Sequence, residues 1–254
     1  MRRRACAGSV VLLLVTCLGC GSLDQLRFWS WGKSTPYEGS LPELFGTIRQ
    51  HSLELRSCQL EFEVRVTEGE ATGVRQGTAW VWGPAVRLEE EISFQPLGGI
   101  SHEVRVSNGR ESWVYRADDG VATVRPLSRE TQEELAGRVA RYGSLALVLD
   151  VPVYGPNLQV QEVRTRAGKQ FRIEISQGAP GGPEPWTKRT TWVDAHDFLV
   201  RRIEVEGARP EGGRLVRYYR ENRYWGYELN PELTGDLFEF SPPVGTRIER
   251  LSPI

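Results

Sequence analysis

Residues 60–66, LEFEVRV, alternate without a break: Leu60, Phe62, Val64 and Val66 are apolar, while Glu61, Glu63 and Arg65 are charged. Successive side chains of a strand point to opposite faces, so the stretch predicts a strand with one dry and one wet face. The same period returns along the chain. Val86, Leu88, Ile92 and Phe94 share one face, with Glu90 interrupting them. Val104 with Val106, Trp113 with Tyr115, and Phe171 with Ile173 and Ile175 repeat it. Leu199, Ile203 and Val205 give it again, with Arg201 interrupting. Turn signals separate the runs: Asn108-Gly109, Asp118-Asp119-Gly120, Gly168 and Gly212-Gly213. Short strands in hairpin succession imply an antiparallel meander, and so a curved sheet or barrel.

Two stretches follow a helical period instead. In 41–57, Leu41, Leu44, Phe45, Ile48 and Leu55 fall near helical spacing, Ser40 is a fitting N-cap, Pro42 sits in the first turn and Glu43 three residues after the cap. In 128–149, Ser128 caps, Glu130, Glu133 and Glu134 suit the first turns, and Leu135, Val139, Tyr142 and Leu145–Leu149 supply an apolar side. Gly143 is expected to split this stretch into two short helices. Residues 178–185 read as a loop. No repeat and no second domain is visible, which gives one domain over 41–254.

The N-terminus reads as an export signal: Arg2, Arg3 and Arg4, then the apolar run Val10–Val15, too short to span a membrane. Gly19 precedes Cys20, the pattern of a lipoprotein signal (1–19) cut before an acylated Cys20. Cys17 stands where that pattern usually has Leu. Residues 20–40 form a tether containing Phe28, Trp29 and Trp31, aromatics suited either to a membrane interface or to packing on the domain. Of the four cysteines, Cys58 is then left without a partner, and a small buried residue is its simplest role.

Charge excludes other classes. The 32 Lys+Arg nearly balance 33 Asp+Glu, with no basic stripe, so nucleic acid is not an expected partner. VRYYRENRYWGY (216–227) mixes Arg with aromatics, but the export signal argues for a wet strand. The only histidines are His51, His102 and His196, and no pair has metal-ligand spacing. Asp194, His196 and Asp197 read as a solvated turn, and EEE at 89–91 as an exposed edge. There is no nucleophile elbow and no phosphate loop, so neither catalysis nor a cofactor nor a metal is expected.

GTAWVWGP (77–84), VSNGRESWVY (106–115) and LFEFSPPVGTRI (237–248), the last read as a terminal Phe-x-Phe strand followed by Pro-Pro and a Gly, occur in this order behind one helix. With WVDAHDFLVRRIEVEG (192–207) they resemble the bacterial outer-membrane lipoprotein carriers, the LolA/LolB-like superfamily, over roughly 41–250. The resemblance implies a mainly β (α+β) fold: a single curved, unclosed antiparallel sheet, a half-barrel, with an N-terminal helix and a helical lid insertion on the concave side. It also implies a cavity for the acyl chains of lipids or lipoproteins. The carrier has an arginine before the proline that follows its Trp-Val strand, and it latches the lid. Here Gly83 holds that position. The carrier is also soluble, whereas this chain carries an anchor signal.

The expected apolar cavity comprises Leu60, Phe62, Val64, Trp80, Trp82, Ile92, Phe94, Trp113, Phe171, Ile173 and Ile175. Period-two logic does not say which face of the Trp80/Trp82 strand is concave. The expected protein is lipid-anchored at the periplasmic face of the outer membrane. The rival reading is a periplasmic sensor or interaction module with a filled cavity and an envelope protein as partner.

Overall fold

The computed structural model describes residues 34–95, 98–149, 152, 157–166, 168–178, 185–211 and 213–254. The signal, Cys20 and the aromatics Phe28, Trp29 and Trp31 lie outside the described residues.

β1 (Ser34–Pro36) and α1 (Leu41–Glu54) lead into a meander of β2 (Ser57–Glu68), β3 (Ala71–Trp82), β4 (Ala85–Gln95), β5 (Ile100–Ser107), β6 (Glu111–Arg116) and β7 (Val121–Pro126). α2 (Arg129–Tyr142) and a 3-10 turn (Ser144–Leu147) follow. A second meander comprises β8 (Leu158–Thr165), β9 (Gly168–Gln177), β10 (Trp186–Asp194), β11 (Val200–Glu211) and β12 (Arg214–Leu229). A 3-10 turn (Gly235–Phe238) and β13 (Arg247–Arg250) end the chain. All strands form one sheet, ordered β1-β8-β9-β10-β11-β12-β2-β3-β4-β5-β6-β7-β13. The β12–β2 ladder welds the meanders, and β1 and β13 remain edges, so the sheet is an unclosed half-barrel. Pairing is antiparallel except for β13 beside β7. Residues 34–40, the end of the stretch read as a tether, belong to the domain: β1 pairs with β8, and Tyr37 packs edge-on against Phe171.

Both helix starts follow the caps. The Ser40 and Ser128 hydroxyls accept from the amides of Glu43 and Thr131. α1 stops at Glu54, three residues short of the expectation. The Asn230 side chain takes the Arg56 amide at 2.7 Å, and Ser57 enters the β2 ladder. Gly143 splits the helical insertion as expected; at φ +79° its Cβ would lie 2.0 Å from the Ser52 carbonyl oxygen. That close approach joins the insertion to α1, helped by Arg49 and Ser52 side chains donating to the carbonyls of Arg141 and Tyr142. Gly77 serves the sheet in the same way. A Cβ there would lie 1.9 Å from the Glu89 carbonyl oxygen, so β3 and β4 approach as only glycine permits.

The Phe-x-Phe segment, Phe238–Phe240, is not a strand. Phe238 ends a 3-10 turn, and pairing resumes only at Arg247, beyond Pro242-Pro243.

Candidate functional site

Cross-strand partners share a face, so the ladders assign every side chain to one side of the sheet. The face carrying the helices is called inner. Cys58, Leu60, Phe62 and Val64 of β2 oppose Val81, Ala79, Gly77 and Arg75 of β3, and these oppose Val86, Leu88, Glu90 and Ile92 of β4. In the second meander the inner row runs through Ile173, Thr191, Ile203 and Asn222 to Val64. Leu44, Phe45 and Ile48 of α1, with Leu145 and Leu149 after α2, close over part of this face. Leu60, Phe62, Val64, Phe171 and Ile173 are thus brought together, but in a packed core rather than an open cavity. Cys58 lies in it, and burial pushes its thiol up to about 12. α2 itself buries no residue; the cover is α1 and the segment after Gly143.

The tryptophans are elsewhere. Trp80 and Trp82 alternate with Ala79 and Val81, and Trp113 opposes Val106, so all three point to the outer face. There Trp80 and Trp113 join Val104, Val106 and Ala85 in a second core, covered by Leu233, Leu237, Phe238 and Phe240, and Trp82 lies beside it. Trp82 lies 6.1 Å from Phe238, and Trp113 lies 5.7 Å from Phe240. The Trp80 and Trp113 indoles donate to Gln59 and Glu111. Their assignment to the cavity is therefore corrected. The polypeptide that shields them lies 120 residues or more further along the chain, and no local pattern links the two. Trp192 is also on the outer face, between the guanidinium groups of Arg172 and Arg202.

Ile92, Phe94 and Ile175 are on the inner face but beyond the helices. Ile92 is buried, whereas Phe94 is 54% exposed and Val66 36% exposed. The Phe94 ring lies over Gly73, where a Cβ would come within 3.0 Å of it. The inner face therefore has a covered apolar half and a bare half on which Phe94 and Val66 are exposed.

Between them sits a charge cluster that the sequence reading placed outside. Alternation turns Glu90 inward while Glu89 and Glu91 turn out. Its carboxylate, wholly shielded from solvent, takes a fork from Arg75 at 2.6–2.8 Å and a contact from Arg105 at 3.2 Å. Arg105 also bonds Glu103. A buried carboxylate persists only when paired in this way, and the signal for it was Arg75, directly across from Ile92 and one row from Glu90. On the outer face an open depression of about 570 Å³ is lined by Glu61, Thr78, Glu89, Glu91, His102 and Trp225, among others. Asp194 accepts from the amides of His196 and Asp197, fixing a turn. His51 stacks against Phe198. Among the described residues no cluster of His, Cys, Asp or Glu could hold a metal, and no helix is long and apolar enough to cross a membrane.

No protein-family model and no curated protein matches the chain. Among solved structures it is similar to an uncharacterized conserved protein from Thermus thermophilus at 12% identity, covering 84% of this chain and 100% of that one, TM-score 0.45. A DUF1329 family protein from Desulfovibrio piger matches at 12%, covering 78% and 95%, TM-score 0.33. A protein described as an outer membrane lipoprotein-sorting domain, from Vibrio parahaemolyticus, matches at 11%, covering 77% and 94%, TM-score 0.31. Likeness at this level speaks to neither ligand nor activity.

Proposed function

We propose that the protein binds the acyl chains of a lipid or lipoprotein on the inner face of its half-barrel. In this reading it is held at the cell envelope through Cys20, on the periplasmic face of the outer membrane, and acts as a binding protein without catalysis. The observation that supports the reading is the divided inner face: a bare half exposing Phe94 and Val66, continuous with an apolar half covered by one helix and a short 3-10 segment. Magnitudes favour exchange between chain and cover. The large apolar side chains buried in the cover are Leu44, Phe45, Ile48, Leu145 and Leu149. At roughly 1.5–3 kcal/mol each they hold about 8–15 kcal/mol against the sheet. An acyl chain of about 15 methylenes, at about 0.8 kcal/mol each, offers about 12 kcal/mol. Entry of a chain can therefore offset displacement of the cover, and release remains accessible.

The test uses residues 32–254, which form one compact unit containing both described cores. Purified without detergent, this unit should carry lipid in native mass spectrometry or bind a fluorescent acyl probe saturably. Phe94→Glu, at an exposed position, should abolish probe binding without lowering the melting temperature. A clean apo mass with no probe binding would sink the reading. It would leave the sensor or interaction module, which the filled half of the inner face favours.

A further inference from the structure

The bare half of the inner face is not purely apolar. One register line crosses it through Ile175, Arg189, Val205, Arg220 and Val66 and ends at Phe94 over Gly73. Aliphatic and arginine side chains alternate strand by strand. Two arginines nearby are matched by carboxylates: Arg75 by Glu90, and Arg209 by Glu68. Arg220 differs. It stands between Val205 and Val66, is exposed, and donates to the amide oxygen of Asn222 at 2.9 Å. Arg189 is the second cation of the same row, between Ile175 and Val205.

A neutral chain has no use for guanidinium groups set among aliphatic residues. Guanidinium is planar and weakly hydrated, and it meets phosphate or carboxylate with two parallel hydrogen bonds. Size agrees. From β9 to β4 the line crosses seven strands, or about 29 Å at roughly 4.8 Å per strand. One leaflet's share of a hydrocarbon core is about 15 Å, so the line accommodates a headgroup and a chain together. A sheet face that curls inward accepts one molecule rather than a flat bilayer.

We infer that the bare half binds a single anionic amphiphile, with its phosphate or carboxylate headgroup on Arg220, in the row it shares with Arg189, and its acyl chain running over Val66 and Phe94. This rests on the acyl-chain reading above and adds the charge of the ligand to it.

Residues 32–254 would be titrated with monomeric dihexanoyl phosphatidylglycerol, dihexanoyl phosphatidylcholine and glycerol phosphate, with affinities from calorimetry. The anionic lipid should bind about tenfold tighter than the zwitterionic one. Arg220→Gln should erase that preference, weakening the anionic lipid more than phosphatidylcholine, whose phosphate is already countered by its own choline. Arg217→Gln, on the outer face of the same strand, should leave the preference intact. Equal affinity for the two lipids would overturn the inference and leave the acyl-chain reading standing. So would an equal loss of preference in Arg217→Gln, which would mean bulk charge alone. Glycerol phosphate binding as tightly as the anionic lipid would overturn it in favour of a free phosphoester site. No binding of either lipid would overturn both readings.

Discussion

Neighbouring residues of β3 belong to different cores. Ala79 and Val81 lie in the inner core under α1, and Trp80 and Trp82 in or beside the outer one under residues 233–240. The inner side of β3 is small and aliphatic, and its cover is a helix and a short turn. Three side-chain hydrogen bonds, from Arg49, Ser52 and Ser144, help to hold that cover together and to the start of β2. The outer side is aromatic, and its cover continues into β13, which is hydrogen-bonded along β7. The Ile254 carbonyl then takes the Ser128 amide and the Thr131 hydroxyl. Apolar contact is non-directional and exchangeable with another apolar body, whereas a ladder must break bond by bond. The comparison therefore casts the outer core as fixed structure and the inner cover as the element that can give way to a ligand.

The largest effect is expected where both cores share one strand. Gly77→Val should cost more than about 4 kcal/mol or prevent folding, because the added atoms meet the β4 backbone. A soluble variant with an unchanged urea midpoint would refute the close approach.

Phe238→Ala should cost about 3–5 kcal/mol yet leave acyl-probe affinity unchanged under native conditions. If probe binding falls in step with stability, the two cores are not independent and the comparison breaks. Glu90→Gln should cost about 2 kcal/mol, below the full penalty for breaking a buried pair because Arg75 and Arg105 are partly exposed and screened. A neutral result in urea titration would show that the cluster is not needed to hold β3, β4 and β5 together.

Ser128→Ala should lower stability by about 1 kcal/mol through loss of the α2 cap. Since α2 buries nothing, probe affinity should hold, and a large change in it would give α2 a direct part in the cover.

Cys58 gives the smallest effect. Its raised pKa favours the neutral thiol, so its contribution to stability is intact below pH 9 and is lost as pH climbs toward 12. At pH 8 a thiol reagent should label it in urea and not in the native protein. Rapid native labelling without probe, suppressed when probe is bound, would show that the cover opens spontaneously.

Much of the fold was legible in local pattern. Leu60 to Val66 named a strand by period, Asn108-Gly109 and Asp119-Gly120 named turns, and Ser40, Ser128 and Gly143 marked helix ends, because each of these signals acts within a few residues. The candidate site was legible only in part. Phe62, Ile173 and Phe94 share one face, but local pattern did not separate the tryptophans from them. Glu90 was read with its charged neighbours, although the alternation that turned Ile92 inward turns Glu90 inward too.

By itself, then, the sequence determined a mainly β chain of hairpins with two helical interruptions, since backbone period, caps and turn residues are local physics. Which face became inner, which half of it was covered, and that Arg220 and Arg189 stand in one row with Val66 and Phe94 were decided only by the tertiary structure. Those relations are set by strand register and by covering segments far away in the chain. A period of two fixes which residues of one strand face together, and it carries no information about what will lie against them.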